Sequence, residues 1–591
     1  MTFFFCSYLK LQIIGNYPTI SDEYSYVYQA ELLSKGRLYV ESPKYPEFFH
    51  CLNIINDGKW YSRYTIGWPL LLAPARIIGL DHLVTPLFCA LTIVILYLLA
   101  KKFSGPKGGF IASMLALLSP FFLLLGTSYF PHTASGFFVL SFIYFTIKTF
   151  NEKDIIFPVF AGFSIAMLLL VRPVEAGLIL IGTSFLVARL FTSKSSNKDV
   201  LLRFIPVLFL FLTGLVIAGA VNYVQTGSAF TFAFLKYCPD ETWGFGHMGH
   251  TPLKGLWNTA FYFMRLSFWT IPFILVLTFF SLFRKDPVLN SLLITPLLFV
   301  LFYFAYFGIG GLDIGVRYYY VPFLICCTIA PAGLFWLKDR LTAKGLKAGY
   351  AIIPSVIICL TVFAFFSLFP SIIKSVDAQM TPQKKFWEWF CDPPEIKEPA
   401  ILFVRDTANR ANAIFIRNMP DFKRKKIIYA LYLEPSLNDR LLKAYPDRRA
   451  YVFYMDKSNN FVISPVFDNT KCRENFESAA MNYWTSVCNL KKTEEFLRKS
   501  LEYDPENYTV MEKLARLLAE QKRDKEAVIV LSEMLKRNKT DVNAGYLLAK
   551  SLGRIGRKDE AVSIFNFIEK YSNDPNLAGK ARNWAEYYMK N

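Results

Sequence analysis

The chain alternates between two textures. From about residue 82 to about residue 369, apolar runs of membrane-crossing length recur with short polar interruptions, whereas the flanks place apolar residues at helical or strand spacing among charged ones. A hydrocarbon core about 30 Å thick takes roughly 20 apolar residues of helix. Runs of that order predict spans at 82–101, 108–127, 131–150, 155–171, 174–191, 202–222, 266–284, 287–309, 317–337 and 346–369. The opening "MTFFFCSYLKLQII" is too short to cross and lacks the basic start and cleavage site of a signal peptide. Residues 1–15 are therefore expected to be the outer end of a first span that begins outside this sequence, giving about 10–11 spans in all. The predicted fold class is a polytopic α-helical membrane protein.

The flanks divide by pattern. In residues 16–81, "SDEYSYVYQAELLSKG" sets Tyr26, Ala30 and Leu33 on one helical face and ends at Gly36, a natural C-cap. It predicts a helix lying against the membrane surface, and "YTIGWPLLLAPARIIGL" predicts a second, with Trp68 at headgroup depth. In residues 370–487, "PAILFVRD", "KKIIYALYL" and "RAYVFYMD" read as strands separated by polar stretches, so a small α/β region is expected. Residues 488–591 repeat themselves with a period of about 34 residues. Leu514 falls with Leu548, Ala515 with Ala549, Ala527 with Ala561 and Val528 with Val562. The small alanines let paired helices approach closely, and the pattern resembles the tetratricopeptide repeat, a C-terminal α-solenoid.

Charge then orients the spans. The formal net charge is +19, but "KKFSGPKGG", "KTFNEKD", "RLFTSKSSNKDVLLR", "FRKD" and "LKDRLTAKGLK" fall on every second connection, as cytoplasmic loops do. The first loop (16–81), the loop from about 223 to 265 and the chain after about 370 are thereby expected outside. The basic excess reflects membrane topology, and no nucleic-acid partner is expected. Ten cysteines show no CxxC spacing, so no structural zinc is expected. Cys326 and Cys327 are expected to pack within a span, and Cys472 and Cys488 form a possible outward disulfide.

Candidate chemistry gathers on the outward face. Asp22 and Glu23 follow Ser21, so one reading is a capped helix start where carboxylates meet free N–H groups. Their company favours a site: Arg37, Glu47, His50, Lys59, Arg63 and Tyr64 share the same loop. Arg172 in "LLVRPVEAG" and Arg317 in "DIGVRYYYVPF" lie at outer span ends, where an arginine either snorkels or holds an anion. Arg317, beside Tyr318, Tyr319 and Tyr320, is the stronger anion clamp. His132 opens a span and has a structural alternative. The long outer loop contributes Asp240, Glu241, His247 and His250; a divalent metal is an open alternative there, but a loop covering substrate is the expectation.

Taken in order, "SDEYSYVYQAELLSKGRLYV", "DGKWYSRYTIGWPLLLAP", "SPFFLLLGTSYFPHTA", "LLVRPVEAG", "ETWGFGHMGHTP" and "GVRYYYVPFL" resemble the GT-C membrane glycosyltransferases of the dolichyl-phosphate-mannose protein mannosyltransferase-like superfamily, in its bacterial form. The resemblance spans roughly residues 1–370. It implies transfer of a sugar, with inversion, from a polyprenyl-phosphate donor to an acceptor hydroxyl on a lipid, glycan or protein at the outer face of a bacterial cytoplasmic membrane. On that reading Asp22 is the general base and Glu23 positions it. Lys59, Arg63, Arg317 and Arg172 bind the donor phosphate. Tyr64, Glu47, His50, His132, Tyr318, Tyr319, His247 and His250 contact substrate. No cofactor is predicted, and the repeats are expected to offer a surface to a protein partner. The competing readings are a transporter or flippase of lipid-linked sugars and a membrane scaffold working through its repeats. No inverted repeat supports the first, and ten spans exceed what an anchor needs.

Overall fold

The computed structural model describes residues 1–15, 17–193, 198–239, 243–246, 250–270, 273–308, 316–345, 355, 359, 362–363, 365–367, 369–378, 380–381, 389–390, 393, 396, 398–404, 418, 425–433, 435–455, 461–464, 477, 480–481, 484, 490–538, 540–572 and 574–590. They form two compact units, Met1–Ser42 with Asn53–Pro393, and Pro43–Leu52 with Pro394–Asn591.

The first unit begins with α1 (Thr2–Leu9), a π turn (Lys10–Ile14) and α2 (Ser21–Ser34). β1 (Val40–Glu41), β2 (Ile54–Asp57) and β3 (Lys59–Ser62) make an antiparallel sheet in the order β1-β3-β2, with Asn56 opposite Trp60. α3 (Gly67–Ile77), α4 (Val84–Leu117), α5 (Pro120–Leu125), α6 (His132–Asn151), α7 (Ile156–Val171), α8 (Pro173–Ser193), α9 (Lys198–Leu202) and α10 (Ile205–Thr226) follow. The unit continues through α11 (Ala233–Tyr237), α12 (Pro252–Trp269), α13 (Ile274–Ser281), α14 (Pro287–Ser291), α15 (Ile294–Phe304) and α16 (Tyr320–Ala343).

Among the described residues six helical stretches are long and apolar enough to cross a membrane: Asp81–Leu117, His132–Asn151, Pro173–Phe191, Val200–Thr226, Pro287–Phe304 and Arg317–Ala343. Ile156–Val171 and Ile274–Arg284 are apolar but shorter. The expected spans 82–101 and 108–127 fall on the two helical segments of α4, which meet at Gly105, where the backbone leaves helical geometry (φ 69°, ψ −178°); the second segment stops before Pro120 opens α5. The expected 266–284 divides between the end of α12 and α13, and 346–369 lies largely outside the described residues. Of the apolar window in Val200–Thr226 only 6% is buried against protein, compared with 83% in Arg317–Ala343. Hence α16 is central, and α10 turns its apolar surface outward to lipid.

The first-loop helices are less interfacial than their sequence implied. α2 buries Tyr24, Tyr26, Tyr28, Val27 and Ala30 along with Ser25 and Gln29, so protein covers it nearly all round. Gly36, at φ 69°, ends the turn as expected. Trp68 is fully buried and its Nε1 donates to the Tyr129 carbonyl at 2.7 Å, which corrects its assignment to headgroup depth. α3 lies hard against the end of α7: a Cβ on Gly67 would stand 2.4 Å from the Leu170 carbonyl carbon. Only hydrogen fits there.

In the second unit a four-stranded sheet runs β5-β4-β6-β7. Its strands are β4 (Ala400–Val404), β5 (Ile427–Leu431), β6 (Arg449–Met455) and β7 (Phe461–Ser464), with α17 (Pro435–Ala444) after β5. β4 pairs in parallel with β5 and β6, and every residue of it is buried, as a central parallel strand requires. A 3-10 turn (Pro46–Phe49) contributes Phe48 and Phe49, both fully buried, with the Phe48 ring 6.2 Å from that of Phe403. Cys472 and Cys488 lie outside the described residues.

The repeats form α18 (Leu490–Tyr503), α19 (Tyr508–Glu520), α20 (Asp524–Arg537), α21 (Val542–Arg554), α22 (Lys558–Tyr571) and α23 (Pro575–Lys590). Leu514, Ala515, Ala527, Leu548, Ala549 and Ala561 are all buried, as the period implied. Equivalent positions also cap equivalent helices: the Asn507 side chain accepts from Val510 N, and that of Asp541 from Asn543 N and Ala544 N.

Candidate functional site

Asp22 sits in the first turn of α2, and its carboxylate is held from three directions. Oδ1 accepts from Asn53 Nδ2 and from the Tyr64 hydroxyl, each at 2.9 Å. Oδ2 accepts from Arg317 Nη2 at 2.8 Å. The two side chains of this ion pair are largely sequestered, at 12% exposure for Arg317 and 19% for Asp22. A carboxylate offers about four lone-pair positions, so one remains for a further hydroxyl. Burial and then the Asp22 charge push the Tyr64 phenol well above its usual range, which keeps it a donor.

Glu23, the next residue, faces a different task. It is 1% exposed, and Oε2 accepts from Thr19 N at 2.7 Å and Thr19 Oγ1 at 2.9 Å, while Oε1 accepts from Tyr129 N at 2.8 Å. The helix start expected from a Ser21 cap is thus made by Glu23 reaching back; Ser21 Oγ accepts instead from Asn53 Nδ2 at 3.0 Å. Lys10, fully buried beside this carboxylate, donates to the Thr127 carbonyl at 2.9 Å. Glu23 therefore fixes the turn that presents Asp22.

The arginines are each committed. Arg317 lies over the Phe130 ring, 4.3 Å from its centroid. Arg172 pairs with Glu175 one turn along, and Glu175 also accepts from Ser135. Arg172 and Arg317 are the charged neighbours of His132, which is 2% exposed and stands edge-on to Phe130 at 5.5 Å. Arg63 packs its guanidinium over Phe234 at 4.5 Å, Tyr237 at 4.9 Å and Tyr64 at 5.1 Å, so α11 of the long outer loop covers it. Arg63 and Tyr64 also line a groove whose walls are Leu169, Leu170, Ala218 and Val221, on α7 and the lipid-facing α10. Lys59 turns its amine to the Val224 carbonyl and the Tyr39 ring.

The tyrosine run divides. Tyr318 stacks in parallel on Tyr303 at 4.6 Å and stands near Arg317. Tyr319 is 2% exposed and packs on Tyr262, and Tyr320 is fully buried against Phe121 and Phe122. Both rings pack against other aromatic side chains, so Tyr319, expected to meet substrate, is covered by protein in this structure. His250 is buried, its Nε2 3.0 Å from the Phe304 carbonyl; His247, Asp240 and Glu241 lie outside the described residues. Glu47 and His50 belong to the second unit, half-buried on either side of Phe48 and Phe49. Among the described residues no group of three or more His, Cys, Asp or Glu side chains could hold a metal.

Asn53, Glu175 and Phe130 were not singled out from the sequence as site residues, although Glu175 falls inside "LLVRPVEAG" and Phe130 inside "SPFFLLLGTSYFPHTA". They nonetheless set the geometry around Asp22, Arg172 and Arg317. An asparagine at the start of a strand reads as a turn former, and only its partners reveal more.

A tetratricopeptide-repeat family profile matches residues 489–551. No curated protein matches the sequence. Among solved structures, ArnT from Cupriavidus metallidurans bound to undecaprenyl phosphate superposes with a TM-score of 0.51 at 9% identity, over 79% of this chain and 97% of that one. The same protein in its apo state gives 0.50 at 9% identity, over 78% and 96%. The chain thus shares the ArnT-like GT-C fold and carries a tetratricopeptide segment at its C-terminus.

Proposed function

We propose that this chain, whose fold is that of the GT-C glycosyltransferase ArnT, moves a sugar from a polyprenyl-phosphate donor to an acceptor hydroxyl at the outer face of the membrane. The observation that carries the reading is Asp22: a sequestered carboxylate fixed by Arg317, Tyr64 and Asn53, with one acceptor position left over. The ArnT neighbour that holds undecaprenyl phosphate supports a lipid-phosphate donor. Arg63, at the edge of the small recess beside α7 and α10, offers a guanidinium suited to that phosphate.

In that reaction the acceptor O–H gives its proton to Asp22 as its oxygen bonds to the anomeric carbon. The bond from that carbon to the phosphate oxygen breaks in the same displacement, which inverts the centre. The departing lipid phosphate is an anion, and Arg63 and Arg317 stabilise the charge as it develops. His132 lies close enough to Arg172 and to Arg317 to interact with both electrostatically, and Arg172 and His132 add polar groups beside the site. Lys59, tied to Val224, joins the phosphate only by leaving that carbonyl. The repeats present a surface for an acceptor or a protein partner.

The test is reconstitution of the purified protein in liposomes with polyprenyl-phosphate sugars, scored by mass spectrometry of released lipid phosphate and glycosylated product. Turnover with inversion is the expected result, and no release from any such donor refutes it. A cysteine introduced near residue 540 should react in intact cells with a membrane-impermeant reagent; protection would reverse the orientation.

A further inference from the structure

We infer that Asn53 is the positioning residue of the Asp22 carboxylate, and that the backbone of the same residue ties that carboxylate to Arg63 and to the outer-loop helix α11. The inference rests on the reading of Asp22 as the base. Asn53 is 7% exposed and holds a left-handed backbone conformation, φ 65°, which asparagine tolerates better than most side chains.

One residue makes five connections from there. Its side-chain Nδ2 donates to Asp22 Oδ1 at 2.9 Å and to Ser21 Oγ at 3.0 Å. Its carbonyl accepts from Ser25 Oγ at 2.7 Å and from Arg63 N at 3.0 Å. Its N–H donates to the Tyr237 hydroxyl at 3.1 Å. The amide orientation is fixed by chemistry, because an ionised carboxylate only accepts and the nitrogen must face it. The side chain thus gives two bonds to the first turn of α2, and the main chain gives one to the segment that carries Arg63 and one to α11, whose rings cover Arg63.

The consequence for the reaction is orientation. Tyr64 and Asn53 together pin Oδ1, and Arg317 pins Oδ2, so the carboxylate plane is set by three donors around it. Losing one of the two donors on Oδ1 lets the plane rotate away from an attacking hydroxyl, and a displacement on the order of 1 Å costs about 100-fold in rate. Donor binding should be spared when the backbone of Asn53 is kept, since the bond to Arg63 comes from the carbonyl.

Two variants separate side chain from backbone. Asn53→Gly removes the amide while favouring the positive φ, so the main-chain bonds survive. Asn53→Asp keeps size and shape but sets a second acceptor against Asp22. Each is measured for kcat and for KM with a polyprenyl-phosphate sugar. Each is also measured by infrared difference spectroscopy, in which bands lost in Asp22→Asn identify the Asp22 carboxylate. Expected are a kcat lowered about 10- to 100-fold in N53G and further in N53D, with KM for the donor within about twofold, and carboxylate bands displaced in both. Wild-type kcat in N53G, or bands unmoved in both variants, overturns the inference. Displaced bands in a protein whose wild type transfers no sugar uphold Asn53 as the holder of Asp22 and refute the transferase reading instead.

Discussion

Replacing Asp22 by Asn separates the charge of this side chain from its shape. The amide oxygen can still accept from Asn53 Nδ2 and the Tyr64 hydroxyl, which both meet Oδ1 at 2.9 Å. The new NH2 group then faces Arg317 Nη2, formerly 2.8 Å from Oδ2, so donor meets donor and the guanidinium loses its counter-charge. A hydrogen bond to a charged group is worth about 1.5–3 kcal/mol, and breaking a buried pair costs about 3–5 kcal/mol. With both side chains still partly in solvent, a stability loss of about 2–3 kcal/mol is expected. A general base is worth about 100- to 10,000-fold, or about 3–5 kcal/mol of barrier. From a total stability of order 5–15 kcal/mol, the folded population survives the substitution, so unfolding cannot mimic the rate loss. The assay is initial-rate transfer in proteoliposomes containing equal amounts of folded wild type and D22N, with folding checked by size exclusion and thermal melting. A D22N rate within about tenfold of wild type would refute the assignment of Asp22 as base.

Other consequences are as direct. Arg63→Ala should raise KM for the lipid donor about 10- to 100-fold with a smaller change in kcat, as loss of a charge-assisted phosphate contact implies; an unchanged KM removes Arg63 from the donor site. Gly67→Ala drives a methyl to 2.4 Å from the Leu170 carbonyl carbon, a backbone atom, and should cost about 1–3 kcal/mol or more, read as a lower melting temperature. In the repeats, the hydrogen bond from Arg523, despite slight burial, holds the Glu526 carboxyl below its ordinary range. A group lowered on folding stabilises above its unfolded value of about 4.3 and loses that contribution as pH falls through its folded one. Arg523→Ala should therefore flatten the acid dependence of repeat melting below about pH 5, and an unchanged slope would count against the pair.

Some of this was readable from the residues and some was not. The repeats were, because their packing is local: a period sets Ala515, Ala527, Ala549 and Ala561 into helix contacts without help from distant chain. Asp22 stood out as an acid in the first outer loop and Arg317 as a charge at a span end, but nothing local says that residues so far apart in sequence share a 2.8 Å contact. Neighbours can also part company. Tyr318, Tyr319 and Tyr320 look alike in sequence, yet successive residues at a helix start point in different directions, and only Tyr318 lies near Arg317. Arg172 read as a membrane arginine with a choice between lipid and anion; its bond to Glu175 is a third option that an i,i+3 spacing does permit. Hydropathy registers length and apolarity, and neither reports where the backbone breaks, as it does at Gly105 between the two segments of α4 and again before Pro120. Trp68 misled for a related reason: an amphipathic ring suits a headgroup layer, but a partner carbonyl inside the protein satisfies the same N–H.

Phe48 and Phe49 bear on how the chain is made. They belong to the unit whose sheet core lies near the far end of the sequence, and Phe48 meets Phe403. A ribosome releases Pro43–Leu52 early and β4 only after all the membrane helices described here have been synthesised. Until then two aromatic side chains that end fully buried have no partner strand to cover them. The segment is an outstanding half of a distant domain, and during synthesis its exposed rings call for a chaperone or a membrane surface to rest on.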